Sequence, residues 1–205
     1  MDYFDQQAAG WDNEPRRIER AAVVAREIIS AVPGLEGMTG FEYGCGTGLL
    51  SFSLRRHLKR IVLGDNSNGM LKVLRQKISQ SNVPNMETMN IDLERESLPD
   101  SEYDVVYTLM TLHHIGDIDK VVGEFYKALK STGYLCIADL DEEDGSFHGS
   151  DFTGHNGFNR NELAERLRKL GFGEVNSKLC YDVVKTSSDG ITRYYPVFLM
   201  TARKC

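Results

Sequence analysis

A glycine-rich segment, FEYGCGTGLL at residues 41–50, constrains the fold of this chain more than any other feature of its sequence. An apolar run at Thr39–Tyr43 predicts a strand before it, and the pattern from about Leu49 to Leu58 predicts a helix after it. Glycine permits positive φ and a close approach of the backbone to a ligand, and a helix N-terminus presents unpaired N–H groups. Such a junction is either a tight structural turn or a ligand site beyond the carboxyl end of a strand.

The rest of the chain continues this alternation of strands and helices. Helices are predicted from Pro15 to a stop at Pro33-Gly34, after a cap at Ser67, over residues 118–129, and from a capping box at Asn159 and Glu162 to Gly171. Further strands are predicted at Ile61–Leu63, Met86–Ile91, Tyr103–Tyr107, Tyr134–Ala138, Glu174–Val184 and Tyr195–Ala202. The alternation favours an α/β fold with a parallel sheet and helices on both faces. The last two strands have no helix between them, and Thr186–Gly190 predicts a hairpin, so at least one of them is antiparallel.

Length and composition are those of a compact globular protein. The 205 residues fit one domain, and with 41% hydrophobic residues the chain can bury a core without disulfides. Its four cysteines lie far apart with no CxxC pair, which favours reduced thiols. The acidic start is unlike a signal peptide, and every apolar run is far shorter than the ~18 residues of a membrane span. We therefore expect one cytoplasmic domain, residues 1–205, without a membrane segment.

Two carboxylates follow the next two predicted strands. Asp65 comes 17 positions after Gly48, at the end of the second strand, and Asp92 ends the third. A carboxylate at the first position can accept hydrogen bonds from both hydroxyls of a ribose, and one at the second can accept a hydrogen bond from an adenine amino group. Each residue alone is equally compatible with a helix cap or a turn. Together with the glycines, at three successive strand ends, they indicate a ligand that contains a nucleoside.

The spacing of the glycines separates the candidate ligands. A nicotinamide-dinucleotide loop reads GxGxxG, but the third position of that pattern is Leu49 here and the glycine is Gly48. A Walker phosphate loop requires Gly-Lys followed by Ser or Thr, which this segment lacks. Both of these nucleotide sites are therefore disfavoured.

Taken in order, the motifs resemble those of the class I S-adenosylmethionine-dependent methyltransferases, particularly the small-molecule enzymes. The E/DxGxGxG motif of that family corresponds to Glu42–Gly48, and its two acidic residues to Asp65 and Asp92. Three later motifs are similar to Tyr103–Thr108, Leu112–Ile115 and Leu129–Gly133, the last with Thr132 where glycine is usual. The resemblance covers roughly residues 15–172. It implies a Rossmann-like, doubly wound sheet of seven strands, mostly parallel, whose last strand runs antiparallel between its neighbours; Pro196 is tolerable there only near the start of that strand.

The resemblance also implies S-adenosylmethionine as the cofactor. The glycine segment would hold its amino-acid part and Asp65 its ribose. Asp92 and Leu93 would contact the adenine, and Thr108 and Leu109 would line the methionine side. The predicted cofactor-binding residues are Glu42, Gly44, Cys45, Gly46, Gly48, Asp65, Asn66, Met70, Asp92, Leu93, Thr108 and Leu109.

Two residues are candidates for a catalytic role toward the methyl acceptor. His113 follows the fourth strand and Asp139 closes the fifth; helix capping and turn formation are the competing interpretations. Residues 141–158, which contain His148 and His155, lie where the family forms part of its acceptor pocket.

The aromatic residues of the N-terminal segment 1–14 are expected either as a lid over the cofactor or as an anchor of the terminus. No metal site is predicted, since no compact ligand spacing is present.

The predicted function is methyl transfer from S-adenosylmethionine to a small molecule, because no large insertion or extra domain is present to hold a macromolecule. The formal net charge of −6, without a run of Lys and Arg, argues against a nucleic-acid partner. Two alternatives stay open. One is a methyltransferase that modifies a protein or nucleic acid, and the other is a non-catalytic module that binds the cofactor. The sequence does not indicate the oligomeric state.

Overall fold

A computed structural model describes residues 3–186 and 190–205, which form a seven-stranded sheet. The strands are β1 (Thr39–Tyr43), β2 (Arg60–Asp65), β3 (Met86–Asn90), β4 (Tyr103–Leu109), β5 (Leu129–Leu140), β6 (Phe172–Thr186) and β7 (Thr192–Lys204). Their order is β3-β2-β1-β4-β5-β7-β6. The first five strands are parallel, and β7 is antiparallel to both β5 and β6. The predicted mostly parallel sheet with an antiparallel last strand is confirmed.

Helices cover both faces of this sheet. The α-helices of the described residues are α1 (Tyr3–Gln7), α2 (Pro15–Ala31), α3 (Leu49–Leu54), α4 (Asn68–Ser81), α5 (Ile118–Ala128) and α6 (Arg160–Leu170). One apolar cluster contains residues of α2, α3 and α4, and a second contains residues of α5 and α6. Successive strand residues such as Val105 and Val106 belong to different clusters, because side chains alternate across a strand. Among the described residues, no helix is both long and apolar enough to cross a membrane.

The predicted helix signals act as expected. Ser67 caps α4 by accepting a hydrogen bond from the backbone N–H of Met70 at 3.2 Å. Asn159 caps α6 by accepting hydrogen bonds from the backbone N–H groups of Asn161 and Glu162 at 3.1 and 3.3 Å. Gly171 ends that helix with φ 105°. Each side-chain cap typically stabilises a helix by about 1 kcal/mol.

The predicted helix from Leu49 to Leu58 is too long, since α3 ends at Leu54. The side-chain amide of Asn85 donates hydrogen bonds to the carbonyls of Arg55 and Leu58 at 2.8 and 2.9 Å. These bonds hold residues 55–58 in a turn that leads directly into β2. A long-range side-chain contact therefore replaces the last helical turn that the local pattern predicts.

Pro196 lies inside β7 and not near its start, because that strand begins at Thr192. Pairing of β7 with β5 begins one residue later, at Val197 opposite Leu140, so the missing N–H of the proline is not needed on that side. The proline carbonyl accepts a hydrogen bond from the backbone N–H of Asp141 at 2.9 Å. Pairing of β6 and β7 extends to Thr186 opposite Thr192, while residues 187–189 of the predicted hairpin turn lie outside the described residues.

The sheet order places the ligand-binding edge of the fold. Strand order reverses between β1 and β4, which are neighbours in the sheet but not in the chain. In open α/β sheets the crevice at such a reversal, outside the carboxyl ends of the strands, is where ligands bind. The glycine segment, Asp65 and Asp139 all lie at this edge, because they end β1, β2 and β5.

Candidate functional site

The three glycines of the loop after β1 have different environments. All three have positive φ, between 53° and 80°. A Cβ at Gly44 would collide with the side chain of Thr111, and one at Gly48 would lie 2.6 Å from a methyl group of Leu74. A Cβ at Gly46 would instead make only ordinary van der Waals contacts, 3.9 Å from the indole nitrogen of Trp11 and 4.0 Å from the sulfur of Met70. Gly44 and Gly48 therefore serve packing, and Gly46 borders the room left for a ligand.

Asp65 connects this loop to the N-terminus of α4. One carboxylate oxygen accepts a hydrogen bond from the backbone N–H of Gly46 at 2.7 Å, and the other accepts one from Ser67 at 2.8 Å. The residue is 8% exposed, at the floor of a cavity of about 550 Å³. A carboxylate has about four acceptor positions, enough for backbone donors and ligand hydroxyls together. The side chain is thus fixed with its charge facing the cavity.

The cavity brings together most of the predicted cofactor residues. Those that line it are Glu42, Gly44, Cys45, Gly46, Asp65, Asn66, Met70 and Leu109. Gly48, Asp92, Leu93 and Thr108 do not line it. Leu93 and Thr108 are fully buried. Asp92 accepts a hydrogen bond from the backbone N–H of Glu94 at 3.0 Å, and this turn places Glu94 in the wall instead.

Glu42 is buried beneath the glycine loop. Its carboxyl group accepts a hydrogen bond from the hydroxyl of Ser51, whose oxygen lies 2.7 Å from the hydroxyl oxygen of Tyr107. Burial raises the pKa of Glu42 to about 8, although the contacts with Ser51 oppose that shift. The residue is therefore protonated at neutral pH unless a cation binds beside it.

This shift predicts a pH-dependent stability. The unfolded chain releases the Glu42 proton near pH 4.5, whereas the folded protein keeps it up to about pH 8. Stability should therefore fall as the pH rises through this window, by up to about 1.4 kcal/mol per pH unit. In Glu42→Gln, which is neutral at every pH, this part of the fall should disappear. Urea unfolding at several pH values checks the difference, with the exposed Glu36→Gln as control; equal pH slopes for wild type and Glu42→Gln would contradict it.

Two arginines of α2 line the cavity although the sequence analysis did not single them out. The guanidinium of Arg17 lies 3.7 Å above the Trp11 ring. The Nε atom of Arg20 is shielded from solvent and has no hydrogen-bond partner among the described residues. Burial lowers the pKa of Arg20 to about 10, so it remains cationic. A sequence signal existed, since Arg17 precedes Ala21, Val24 and Ile28 at helical spacing on the buried side of α2.

The N-terminal segment is bound to the glycine loop and to α4. The carboxylate of Asp5 accepts hydrogen bonds from the Ser67 hydroxyl at 2.6 Å and from the Gly69 N–H at 2.8 Å. Asp12 pairs with Lys77 at 2.6 Å and accepts a hydrogen bond from Thr47 at 2.5 Å. These contacts hold the Phe4 and Trp11 rings in the cavity wall.

The two predicted catalytic residues contact each other. The Nδ1 atom of His113 lies 2.5 Å from a carboxylate oxygen of Asp139, and the side chains are 1% and 0% exposed. Burial raises the pKa of Asp139, but the facing His113 and the N–H of Leu140 outweigh it, so the pKa lies below its ordinary value. His113 does not cap the next helix, because Asp117 caps α5 by accepting a hydrogen bond from Lys120.

A second cavity of about 960 Å³ adjoins the first. His113 lines it, together with Phe147 and His148 of the loop at residues 141–158. His155, in the same loop, instead places its Nε2 atom 3.0 Å from the carbonyl oxygen of Ile115. The wall that the two cavities share includes Phe4, Trp11, Arg17, Arg20, His114 and Phe152. Two ligands bound in these cavities would therefore meet at this wall.

A family model described as a methyltransferase domain matches residues 41–137, from the glycine loop through β5. This match agrees with the resemblance of the sequence motifs to the class I methyltransferases. S-adenosylmethionine is the cofactor of this class, as the sequence predicts. The match ends before the loop at 141–158, so it does not include most of the wall of the second cavity.

Individual relatives agree with this assignment. A methyltransferase of Schizosaccharomyces pombe described as uncharacterized is 34% identical over 121 residues, 56% of this chain and 43% of that protein. The malonyl-[acyl-carrier protein] O-methyltransferase of Serratia marcescens is 24% identical over 179 residues, 77% of this chain and 68% of that enzyme. A methyltransferase structure from Aquifex aeolicus shares the fold, with a TM-score of 0.68 and 19% identity over 94% of this chain and 99% of that one. The chain spans less than half the length of its S. pombe relative.

The first cavity fits the cofactor on three counts. Gly46 lines the cavity and a Cβ there would clash with none of the described residues, the Asp65 carboxylate faces the cavity, and the Nε atom of Arg20 is buried without a partner among the described residues. S-adenosylmethionine has a ribose with two hydroxyls and an α-carboxylate, which match the carboxylate and the arginine. A volume of about 550 Å³ lies within the roughly 300–1,000 Å³ of small-molecule sites.

Proposed function

We propose that this domain transfers a methyl group from S-adenosylmethionine to a small-molecule acceptor. The observation that carries the proposal is the pair of adjoining cavities with a shared wall, one fitted to the cofactor and one beside it. Holding two reactants in line can contribute about 7–11 kcal/mol to catalysis, whereas a general base typically adds about 10²–10⁴-fold. Positioning is thus the main task of the protein in such a reaction.

Different residues of the first cavity would bind different parts of the cofactor. Gly46 would allow its close approach to the backbone, Asp65 would accept hydrogen bonds from the ribose hydroxyls, and Arg20 would pair with the α-carboxylate. When bound, S-adenosylmethionine supplies a methyl group made electrophilic by the sulfonium. The Phe4 and Trp11 rings of the N-terminal segment would exclude water from the shared wall. Asp92 and Leu93 remain proposals for the adenine end, although neither lines the cavity.

The second cavity is proposed as the acceptor site. Its volume, about 960 Å³, is at the upper end of the size of small-molecule sites. Asp139 fixes the ring of His113, so that its Nε2 atom is the nitrogen left for a ligand. The name of the Serratia enzyme indicates that its acceptor is a small malonyl group, carried there by an acyl-carrier protein. The loop at 141–158 supplies Phe147, His148, Asp151 and Phe152 to this wall and would help to determine which acceptor enters.

The proposal is tested in two steps with the full chain. Calorimetric titration with S-adenosylmethionine and S-adenosylhomocysteine, with NAD as control, should show micromolar binding of the first two only. Release of S-adenosylhomocysteine is then measured with a panel of small acceptors. Cofactor binding without turnover by any acceptor would favour the non-catalytic module. No cofactor binding by well-folded protein would contradict the proposal itself.

Arg20→Gln tests the assignment of the α-carboxylate. Loss of a charged hydrogen bond worth about 1.5–3 kcal/mol should weaken S-adenosylhomocysteine binding roughly 10–100-fold. Binding of 5′-methylthioadenosine, which lacks the amino-acid part, should not change. Arg16→Gln is the matched control, because Arg16 belongs to the same helix and lines only the second cavity. Unchanged S-adenosylhomocysteine binding in Arg20→Gln would assign this arginine to the acceptor instead.

A further inference from the structure

Three histidines converge on the second cavity from two separate segments of the chain. His113 and His114 belong to the short 3₁₀ helix after β4, and His148 belongs to the loop after β5. One ring nitrogen of each lies within 4.8 Å of the others. The ring centroid of His148 is 5.1 Å from each of the other two rings, and those two are 4.1 Å apart. His113 and His114 are adjacent, but His148 lies far from both in the sequence. The three therefore do not form a compact motif of the kind that reveals a metal site.

Asp139 orients the most buried of the three rings. Because its carboxylate takes the Nδ1 side of His113, Nε2 is the nitrogen that remains for a ligand. Metal-binding histidines almost always donate their second ring N–H to a carboxylate, a carbonyl or water, which fixes the tautomer and the orientation. The backbone N–H groups of Leu140 and His113 donate to the same carboxylate, at 2.8 and 3.4 Å. Asp139 is thus held as an outer-shell group would be.

The surroundings favour neutral imidazoles. The His113 side chain is 1% exposed and His114 is only partly exposed, and burial disfavours a charged ring. The rings of Phe147 and Phe152 pack against His148, with the Phe152 ring stacked at 3.9 Å. Neutral imidazole is the form that binds a metal ion, and an apolar shell limits competition from water.

We propose that His113, His114 and His148 form a binding site for a divalent transition metal, Zn²⁺ in the first place. Zn²⁺ takes three histidine ligands at about 2.0–2.1 Å, which sets the nitrogen atoms about 3.4 Å apart. The ring nitrogens now lie within 4.8 Å of one another, so they must move closer together to bind one ion. His148, in an exposed loop, can make this movement. Three protein ligands leave a fourth position open, and here that position faces the second cavity.

The charges around the site determine what the open position would accept. Asp139 contacts the cluster with negative charge. The lining of the same cavity contains the cationic side chains of Arg16, Arg17, Arg20 and Lys185 and the acidic side chains of Glu14 and Asp151. A dication beside an excess of cationic side chains favours an anionic fourth ligand. An acceptor that binds through an ionised oxygen or sulfur meets this need, and metal binding would lower the pKa of its hydroxyl or thiol. This role rests on the proposed function, whereas metal binding itself does not.

The test measures metal binding by the full chain after treatment with a chelator. We expect one Zn²⁺ per chain, and one Co²⁺ with the visible spectrum of a four-coordinate nitrogen and oxygen site. His148→Ala should weaken binding by at least the roughly 10–100-fold that loss of an outer-shell partner causes. Because His148 is exposed, this variant should remain folded. His57→Ala removes a histidine outside the cluster and is the matched control.

Each outcome decides the proposal. Failure of the wild-type chain to bind Zn²⁺ stoichiometrically, or equal affinities for His148→Ala and His57→Ala, would overturn it. A thiolate-to-cobalt charge-transfer band would also overturn it, because it would place the metal on cysteines. Asp139→Asn should weaken metal binding about 10–100-fold, while the stoichiometry stays at one ion per chain. S-adenosylhomocysteine binding, measured on the same samples, should be unchanged in His148→Ala, so failure of the metal site and failure of the cofactor site can be distinguished.

Discussion

Replacing Asp65 by alanine is expected to weaken S-adenosylhomocysteine binding by more than about 100-fold. The carboxylate would accept hydrogen bonds from two ribose hydroxyls, each charge-assisted and worth about 1.5–3 kcal/mol. The substitution also frees the backbone N–H of Gly46, which Asp65 holds at 2.7 Å, so the glycine loop loses an anchor. Calorimetric titration with S-adenosylhomocysteine measures the loss, and a thermal melt shows whether the variant is folded.

Asp104→Ala is the matched control for this experiment. Asp104 also accepts a backbone hydrogen bond, from Thr39 at 2.9 Å, and pairs with Lys130 at 2.9 Å. It does not line the cofactor cavity. The two variants should lose comparable stability, but only Asp65→Ala should lose affinity. Equal affinities for both variants and the wild type would remove Asp65 from the cofactor site.

Local sequence patterns predict the framework of this fold because its signals are local. Helical periodicity, capping residues such as Ser67 and Asn159, and the stop at Gly171 all act within a few residues. Once the strands are parallel, the residues that end them must meet at one edge of the sheet. For that reason the sequence alone predicts that the glycine segment, Asp65 and Asp139 lie at the same end of the sheet.

The contacts that the sequence analysis did not predict join distant segments of the chain. Arg20 reaches the cavity because α2 packs beside the loop after β1, and no local pattern shows where its guanidinium points. His148 approaches His113 and His114 only because the long loop after β5 folds back over the 3₁₀ helix. Asp92 shows the opposite case, since a strand-end rule placed it at the cofactor but a local turn puts Glu94 in the wall. The rule that ligands bind at strand ends predicts which end of the sheet forms the site. The turn after each strand decides which side chain faces the cavity.

The sharpest test of the cofactor cavity is Gly46→Ala, which adds one methyl group where the ligand would lie. Its chain neighbours apart, the new Cβ would meet no atom of the described residues closer than 3.9 Å, so the cost to stability should come mainly from the positive φ of 53°. Left-handed backbone costs a residue with a Cβ roughly 1–2 kcal/mol. Cofactor affinity, in contrast, should fall by about 100-fold or more, because a close-packed ligand cannot share its space with a methyl group.

Gly34→Ala provides the control that separates strain from occlusion. Gly34 also has a positive φ, 74°, and a Cβ there would have no atom of the described residues within 4 Å. The two variants should therefore lose similar stability in urea unfolding, while only Gly46→Ala loses S-adenosylhomocysteine binding in titration. If Gly46→Ala bound the cofactor as the wild type does, the space beside Gly46 would not be the cofactor site. The close approach of backbone and ligand, which the glycine at this position allows, would then have to lie elsewhere in the loop.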